Sequence, residues 1–296
     1  MNETLKRALS GAVYITLLLT CILYSIESFF ILFGIFLIIA TYEFCDIIKI
    51  NKFIGIPLAI LIYGTVTLIS FYKPLVEKGW SSISKKEMQM NVDIDMLYKS
   101  LLLVTVLVSI KCIHFLFTDS IKTISNSMKY MYLIGYVILP FLFITKISFG
   151  QNKYNNKIII GLFILIWTND TFAYLVGRSF GKHKLFERIS PKKTIEGFIG
   201  GVTFAILAGF LLSKFYIKPN PNFLQKSIII WTTIAVLVGF MGTIGDLVES
   251  KFKRIAGVKD SGNIMPGHGG MLDRLDSIIF VAPFIFLFYQ ILYYVS

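Results

Sequence analysis

The stretch "KDSGNIMPGHGGMLDRLDSIIFVAPFIFLFYQILYYV", residues 259–295, changes character halfway. Its first nineteen residues hold five charged groups, one His and four Gly; the nineteen from Ser277 onward hold no charge at all. An apolar run of roughly 17 to 25 residues crosses about 30 Å of hydrocarbon as a helix. The stretch therefore reads as a polar, flexible loop at a membrane face, leading directly into a spanning helix.

The same kind of apolar run recurs upstream. Nine are readable, near 8–26, 28–45, 53–72, 97–117, 128–149, 158–177, 197–216, 227–245 and 277–295. Composition agrees: 55% of the 296 residues are hydrophobic and 16% charged, against about 25% charged in soluble domains, and the mean hydropathy is +0.73. The expected fold class is all-α, a polytopic membrane helical bundle of about nine transmembrane helices. Lys99 and Lys111 interrupt the fourth run; the first can snorkel, whereas the second must face protein or an interface. The first run follows Lys6 and Arg7, but it is too long for the apolar core of a signal peptide and no small-residue cleavage site follows, so it reads as a retained helix. Cys21, Cys45 and Cys112 are isolated and lack metal-type or redox-type spacing. They read as small hydrophobes, with neither a disulfide nor zinc.

The net charge of +12 is informative through its distribution. The N-terminus and the loops after the second, fourth, sixth and eighth runs carry sixteen of the 29 Lys and Arg; the opposite side carries ten, and Lys99, Lys111 and Lys129 lie within or at the edge of helices. Basic residues accumulate in cytoplasmic loops. The expectation is a multi-pass membrane protein, with the richer side in the cytoplasm and no nucleic-acid partner.

The chain divides by polarity. Residues 1–150 are apolar helices with little polar loop, read as a scaffold that could carry dimer contacts; the mixed-charge loop 73–96 falls on the outer side and reads as a solvated connector. Residues 151–296 contain two polar stretches, 167–201 and 242–277, both on the basic face. They can converge on one pocket.

Those stretches have the parts of a phosphate-handling site. Asp246 closes the eighth run; Asp273 and Asp276, three apart at the head of the ninth, share a helix face. Asp170 lies deep in the sixth run. Carboxylates at membrane depth need partners, and oxygen ligands without His or Cys clusters suit a hard cation such as Mg²⁺. Salt bridges to Arg178, Arg254 and Arg274 are the alternative, and both can hold. Pro191 fits a first helical turn capped by Ser190, which would set a helix N-terminus beside Lys192 and Lys193 as an anion site. Lys251, Lys253, Arg254 and Lys259 either serve the same site or form a basic rim for anionic lipid heads. In "PGHGG", Gly267, Gly269 and Gly270 allow close backbone approach, and their amides could cradle phosphate. His268 could orient a phosphate or be structural.

Spaced as Ser250-x-Phe252-Lys253-Arg254, Lys259-Asp260-x-Gly262 and Pro266-x-His268-Gly269-Gly270-Met271-x-Asp273-Arg274-Leu275-Asp276, these residues span twenty-seven positions at fixed spacings. The pattern resembles the signature of phosphatidate cytidylyltransferases, the CDP-diacylglycerol synthases. Met265 stands where that family usually has Leu, Ile or Phe. The upstream Asp170-Thr171-x-Ala173-Tyr174 and Ser190-Pro191-Lys192-Lys193-Thr194-x-Glu196-Gly197 are also similar, with Phe172 bulkier than the small residue often found there. The likeness covers about 160–296.

The resemblance implies that CTP and phosphatidic acid react with Mg²⁺ to give CDP-diacylglycerol and diphosphate, in a membrane homodimer. It implies Asp246 and Asp273 as Mg²⁺ ligands, with Asp276 at the ion or just behind it, and leaves a second cation open. Ser190, Ser250, Lys192, Lys193, Lys253, Lys259, His268, Gly269 and Gly270 would contact phosphates. Arg254 and Arg274 would hold carboxylates or diphosphate. Two other classes stay in view: a CTP-dependent lipid kinase, and a transporter, which would carry its polar groups near the midplane rather than at one face. The Asp-Gly-x-x-Ala-Arg motif of phosphatidyltransferases that consume CDP-diacylglycerol is absent.

Overall fold

The computed structural model describes residues 3–79, 94–118, 124–149 and 154–295. Residues 80–93, most of the mixed-charge loop, and Lys122 lie outside them. Among the described residues, nine stretches are long and apolar enough to cross a membrane. Their helices are α1 (Glu3–Tyr24), α2 (Ile26–Ile48), α3 (Lys52–Gly79), α4 (Ile94–Phe117), α5 (Asn126–Tyr132) with α6 (Leu139–Ile147), α7 (Asn156–Phe180), α8 (Ile195–Leu211), α9 (Leu224–Ile255) and α10 (Leu272–Val295).

Local chemistry sets several boundaries. Ser25 separates α1 from α2 as a single capping residue, its Oγ accepting from Ser28 N at 3.1 Å. Between α5 and α6 the helix widens to a π-segment, Leu133–Ile138. Pro140 follows it, and a proline ring crowds the carbonyl four residues back while donating no hydrogen bond; the wider turn relieves that conflict.

Two expectations are corrected here. The eighth run does not end at 245, because α9 continues ten residues further, to Ile255. Its 32 residues span about 48 Å at 1.5 Å per residue, more than hydrocarbon requires, so its last turns project as a polar helical extension carrying Asp246, Glu249, Ser250 and Lys253. Nor does Ser190 cap a helix. It begins β2 (Ser190–Thr194), which pairs antiparallel with β1 (Lys184–Phe186). The cap of α8 is Thr194, whose Oγ1 accepts from Gly197 N at 3.1 Å. Ser and Thr are both favoured caps; pairing with β1 holds the intervening residues extended and leaves Thr194 at the helix start.

Phe252 anchors the projecting part of α9. It is 1% exposed, and its ring lies 5.2 Å from Phe44, 5.1 Å from Phe115 and 5.1 Å from Tyr132. An aromatic buried against three helices fixes the backbone that carries Lys253. Lys251 adds a second tie: its ammonium caps carbonyls at the end of α4, those of Phe115, Leu116 and Thr118. The β-hairpin docks on the same region, with Ile189 buried beside Leu116 and Leu247. The start of α1, the ends of α2, α4, α7 and α9 and the head of α10 thus gather at one end of the bundle. The opposite end is tied separately, for example by Tyr154 Oη donating to the Ile22 carbonyl at 2.8 Å.

Candidate functional site

Three carboxylates meet at the gathered end. Asp246 and Glu249 lie one turn apart on α9 and Asp276 faces them from α10. One oxygen of each lies within 4.8 Å of the others. Glu249 is 1% exposed, and its Oε1 has no hydrogen-bond partner among the described residues. Asp170 of α7 is within electrostatic range of Asp246 and Asp276. Opposing cations are few: Lys193 Nζ sits 2.5 Å from Asp246 Oδ2, and Lys253 Nζ lies 2.7 Å from Glu249 Oε2. A set of oxygen donors richer in negative than positive charge, with one buried oxygen unmatched, fits a hard divalent cation.

Asp273 stands outside this trio. Its Oδ1 lies 2.5 Å from Lys253 Nζ. Its Oδ2 accepts from Ser261 N at 2.8 Å, Ser261 Oγ at 3.0 Å and Gly270 N at 2.7 Å. Lys253 therefore bridges Glu249 on α9 and Asp273 on α10, and Asp273 ties down the loop between those helices. The Gly270 amide is spent on this carboxylate. Gly267 and Gly269 adopt left-handed φ of 78° and 84°, as a loop turning this tightly requires.

Two cavities adjoin. One, about 490 Å³, is a polar cup lined by Arg7, Lys259, Asp260, Asn263, His268 and Arg274. The other, about 410 Å³, is a cleft between α1, α7 and α10, with Ile15, Phe163 and Ile166 along its length and Asp170, Asp273 and Asp276 at its polar end. Met265, His268 and Arg274 line both. His268 Nδ1 is 2.7 Å from Ser10 Oγ, and burial, then Arg274 and Arg7, hold its imidazole below the usual range. It is neutral at pH 7.

The structure thus brings together Asp246, Ser250 (whose Oγ donates to Asp246 Oδ1 at 3.2 Å), Lys193, Lys253, Asp273 and Asp276. It puts Lys259, His268, Gly269 and Arg274 around the cup. Three residues stand apart. Lys192 is exposed and Ser190 part-buried on β2, and Arg254 closes the end of α9 by donating to the Val258 carbonyl at 3.0 Å.

Sequence reasoning missed Glu249, which shares a face with Asp246 and Lys253 once α9 is allowed to continue. It also missed Glu43 of α2, a charge inside an apolar run and for that reason a signal. Arg7 and Tyr14 of α1 line the cavities too and Ser10 holds His268 beside them, and no pattern in the first run announces them.

The sequence profile of the cytidylyltransferase family matches residues 5–292. Among curated proteins, this chain is similar to the phosphatidate cytidylyltransferase of Staphylococcus epidermidis, 43% identical over 150 residues, which cover 51% of this chain and 54% of that one. It is similar as well to those of Staphylococcus haemolyticus, 48% over 127 residues (42% and 46%), and Staphylococcus aureus, 45% over 152 residues (51% and 54%). The chain thus spans about half the length of the curated relatives it matches.

Proposed function

We propose that this chain, which belongs to the cytidylyltransferase family, transfers CMP from CTP to phosphatidic acid, yielding CDP-diacylglycerol and diphosphate. The observation that carries the reading is the junction of the two cavities: a polar cup suited to a triphosphate meets an apolar cleft suited to acyl chains, beside an acidic cluster. The names of the staphylococcal relatives point the same way.

The chemistry follows from charge. A lipid phosphate monoester has a second pKa of about 6 and is mostly dianionic at pH 7, so its oxygen is already a nucleophile and no general base is required. That oxygen bonds to the α-phosphorus of CTP; the bond from that phosphorus to the bridging oxygen breaks, and diphosphate leaves with the electron pair. The protein must bring two anions together and stabilise in-line attack. Arg7, Lys259 and Arg274 supply fixed positive charge around the cup, and neutral His268, held by Ser10, lines both the cup and the cleft. Asp246, Glu249 and Asp276 would hold Mg²⁺, which when bound supplies charge neutralisation at the phosphoryl oxygens. Lys253 and Asp273 hold α9, the glycine-rich loop and α10 in register.

The test separates this reaction from lipid phosphorylation. CTP labelled at the α-phosphate is expected to label the lipid together with cytidine, and γ-labelled CTP is expected to release labelled diphosphate. Label from the γ-position in the lipid would promote the kinase reading instead.

The same reading puts the gathered end in the cytoplasm, where CTP is. The sixteen-to-ten Lys and Arg bias supports this side. In a background with Cys21 replaced, Lys182→Cys and Asn263→Cys, both at exposed positions, should resist an impermeant thiol reagent in intact cells and react after permeabilisation. Labelling without permeabilisation reverses the orientation.

A further inference from the structure

Glu43 is buried, 3% exposed, near the end of α2, and no described ion pair includes it. Its partners are hydrogen-bond donors. Oε1 accepts from Met271 N at 2.9 Å; Oε2 accepts from Leu272 N at 2.8 Å and from Ser261 Oγ at 2.9 Å. The two amides sit at the head of α10, where the first N–H groups of a helix have no internal acceptor and the dipole favours an anion. The loop is shaped around this carboxylate. A methyl group at Gly262 would lie 2.5 Å from Glu43 Oε1, and one at Gly270 would lie 2.5 Å from both its oxygens.

Ser261 connects this anchor to the site. Its single hydroxyl proton faces two carboxylates, Glu43 Oε2 at 2.9 Å and Asp273 Oδ2 at 3.0 Å, and can serve one at a time. The segment from Ser261 to Leu272 is therefore gripped from two sides, by Glu43 of α2 and by Asp273 of α10. Glu43 lines neither cavity. We infer that Glu43 is a positioning residue for nucleotidyl transfer: from α2 it sets the depth and rotation of the first turn of α10, and so places Asp276 against Asp246 and Glu249 and Arg274 against the cup.

This inference rests on the transfer reading above, so its test is read first without turnover. Mn²⁺, which like Mg²⁺ favours oxygen ligands, is titrated into purified full-length protein in lipid nanodiscs and followed by electron paramagnetic resonance, with no nucleotide present. Glu43→Gln keeps the shape but sets an NH₂ group against backbone N–H donors. Loss of a partner that orients metal ligands costs on the order of 10-fold to 100-fold in metal affinity or activity, and a Mn²⁺ dissociation constant raised by at least about tenfold is expected. The Mg²⁺ concentration for half-maximal turnover should rise in parallel. A role confined to global stability would lower the active fraction without moving either midpoint. Gly262→Ala, which drives a methyl into the carboxylate, is expected to shift Mn²⁺ binding in the same direction, and it decides the matter if Glu43→Gln does not fold. Wild-type Mn²⁺ affinity in whichever of the two variants folds overturns the inference. Wild-type protein that leaves no α-label in lipid overturns the transfer reading while leaving the Mn²⁺ comparison intact.

Discussion

Asp276→Asn is expected to lower turnover by on the order of 10² or more at fixed Mg²⁺, since a lost transition-state contact of this kind is worth about 3 kcal/mol. It is also expected to leave thermal stability equal or higher. The two signs come from one geometry. Asp276 shares its cluster with Asp246 and Glu249, with one oxygen of each inside 4.8 Å, and like charges so close repel when no cation is present. An amide at 276 keeps the shape and can still accept the Ser277 N–H bond, which is 2.6 Å in the parent. It removes one repelling charge and one anionic ligand together. Asp273→Asn should behave differently, because Asp273 spends its oxygens on Lys253, Ser261 and Gly270; there activity and stability should fall together. Turnover and the apo-protein unfolding midpoint, measured for both variants, separate the roles. Wild-type turnover in Asp276→Asn at the same Mg²⁺ concentration would remove Asp276 from the metal site.

The helical membrane architecture was legible because it depends on run length and composition, which are additive along the chain. The convergence of the two polar stretches was legible from loop parity alone. What escaped was whatever depends on where a helix stops. Reading the eighth run as ending at 245 hid Glu249: its relation to Asp246 and Lys253 exists only if the i, i+3 and i+4 geometry persists beyond the apolar residues. Reading Ser190-Pro191 as a helix start was sound local chemistry, overridden by a strand pairing with Lys184–Phe186 that no local rule specifies. Gly270 looked like an amide free for phosphate, yet its N–H meets Asp273 and its missing side chain makes room for Glu43. That contact joins positions 227 residues apart in the chain, and only the folded bundle reveals it. The resemblance to the cytidylyltransferase signature singled out candidate residues, and the geometry sorts them into an acidic cluster, a loop anchor and a cup lining.

That division is sharpest at Lys253. Sequence reasoning sent its ammonium to a phosphate; the structure sets it between two carboxylates, 2.7 Å from Glu249 and 2.5 Å from Asp273, in a residue 7% exposed. Lys253→Met keeps the stem and removes the charge. Glu249 and Asp273 then remain buried without their cation, beside Asp246 and Asp276. Removing one partner of a buried pair typically costs about 3–5 kcal/mol, because the remaining charge is uncompensated. The single variant is therefore expected to unfold at a clearly lower temperature in detergent, followed by tryptophan fluorescence, and to show no measurable turnover. Adding Glu249→Gln relieves one of the stranded charges, so the double variant should regain part of the lost stability. It should stay inactive, because Asp273 still lacks the link that holds α10 to α9 and the cluster has lost a carboxylate. This combination, stability partly restored with activity still absent, distinguishes a charge-compensating bridge from a residue needed only to contact substrate, whose removal would abolish turnover at unchanged stability. A Lys253→Met protein as stable as the parent would rule out the bridge.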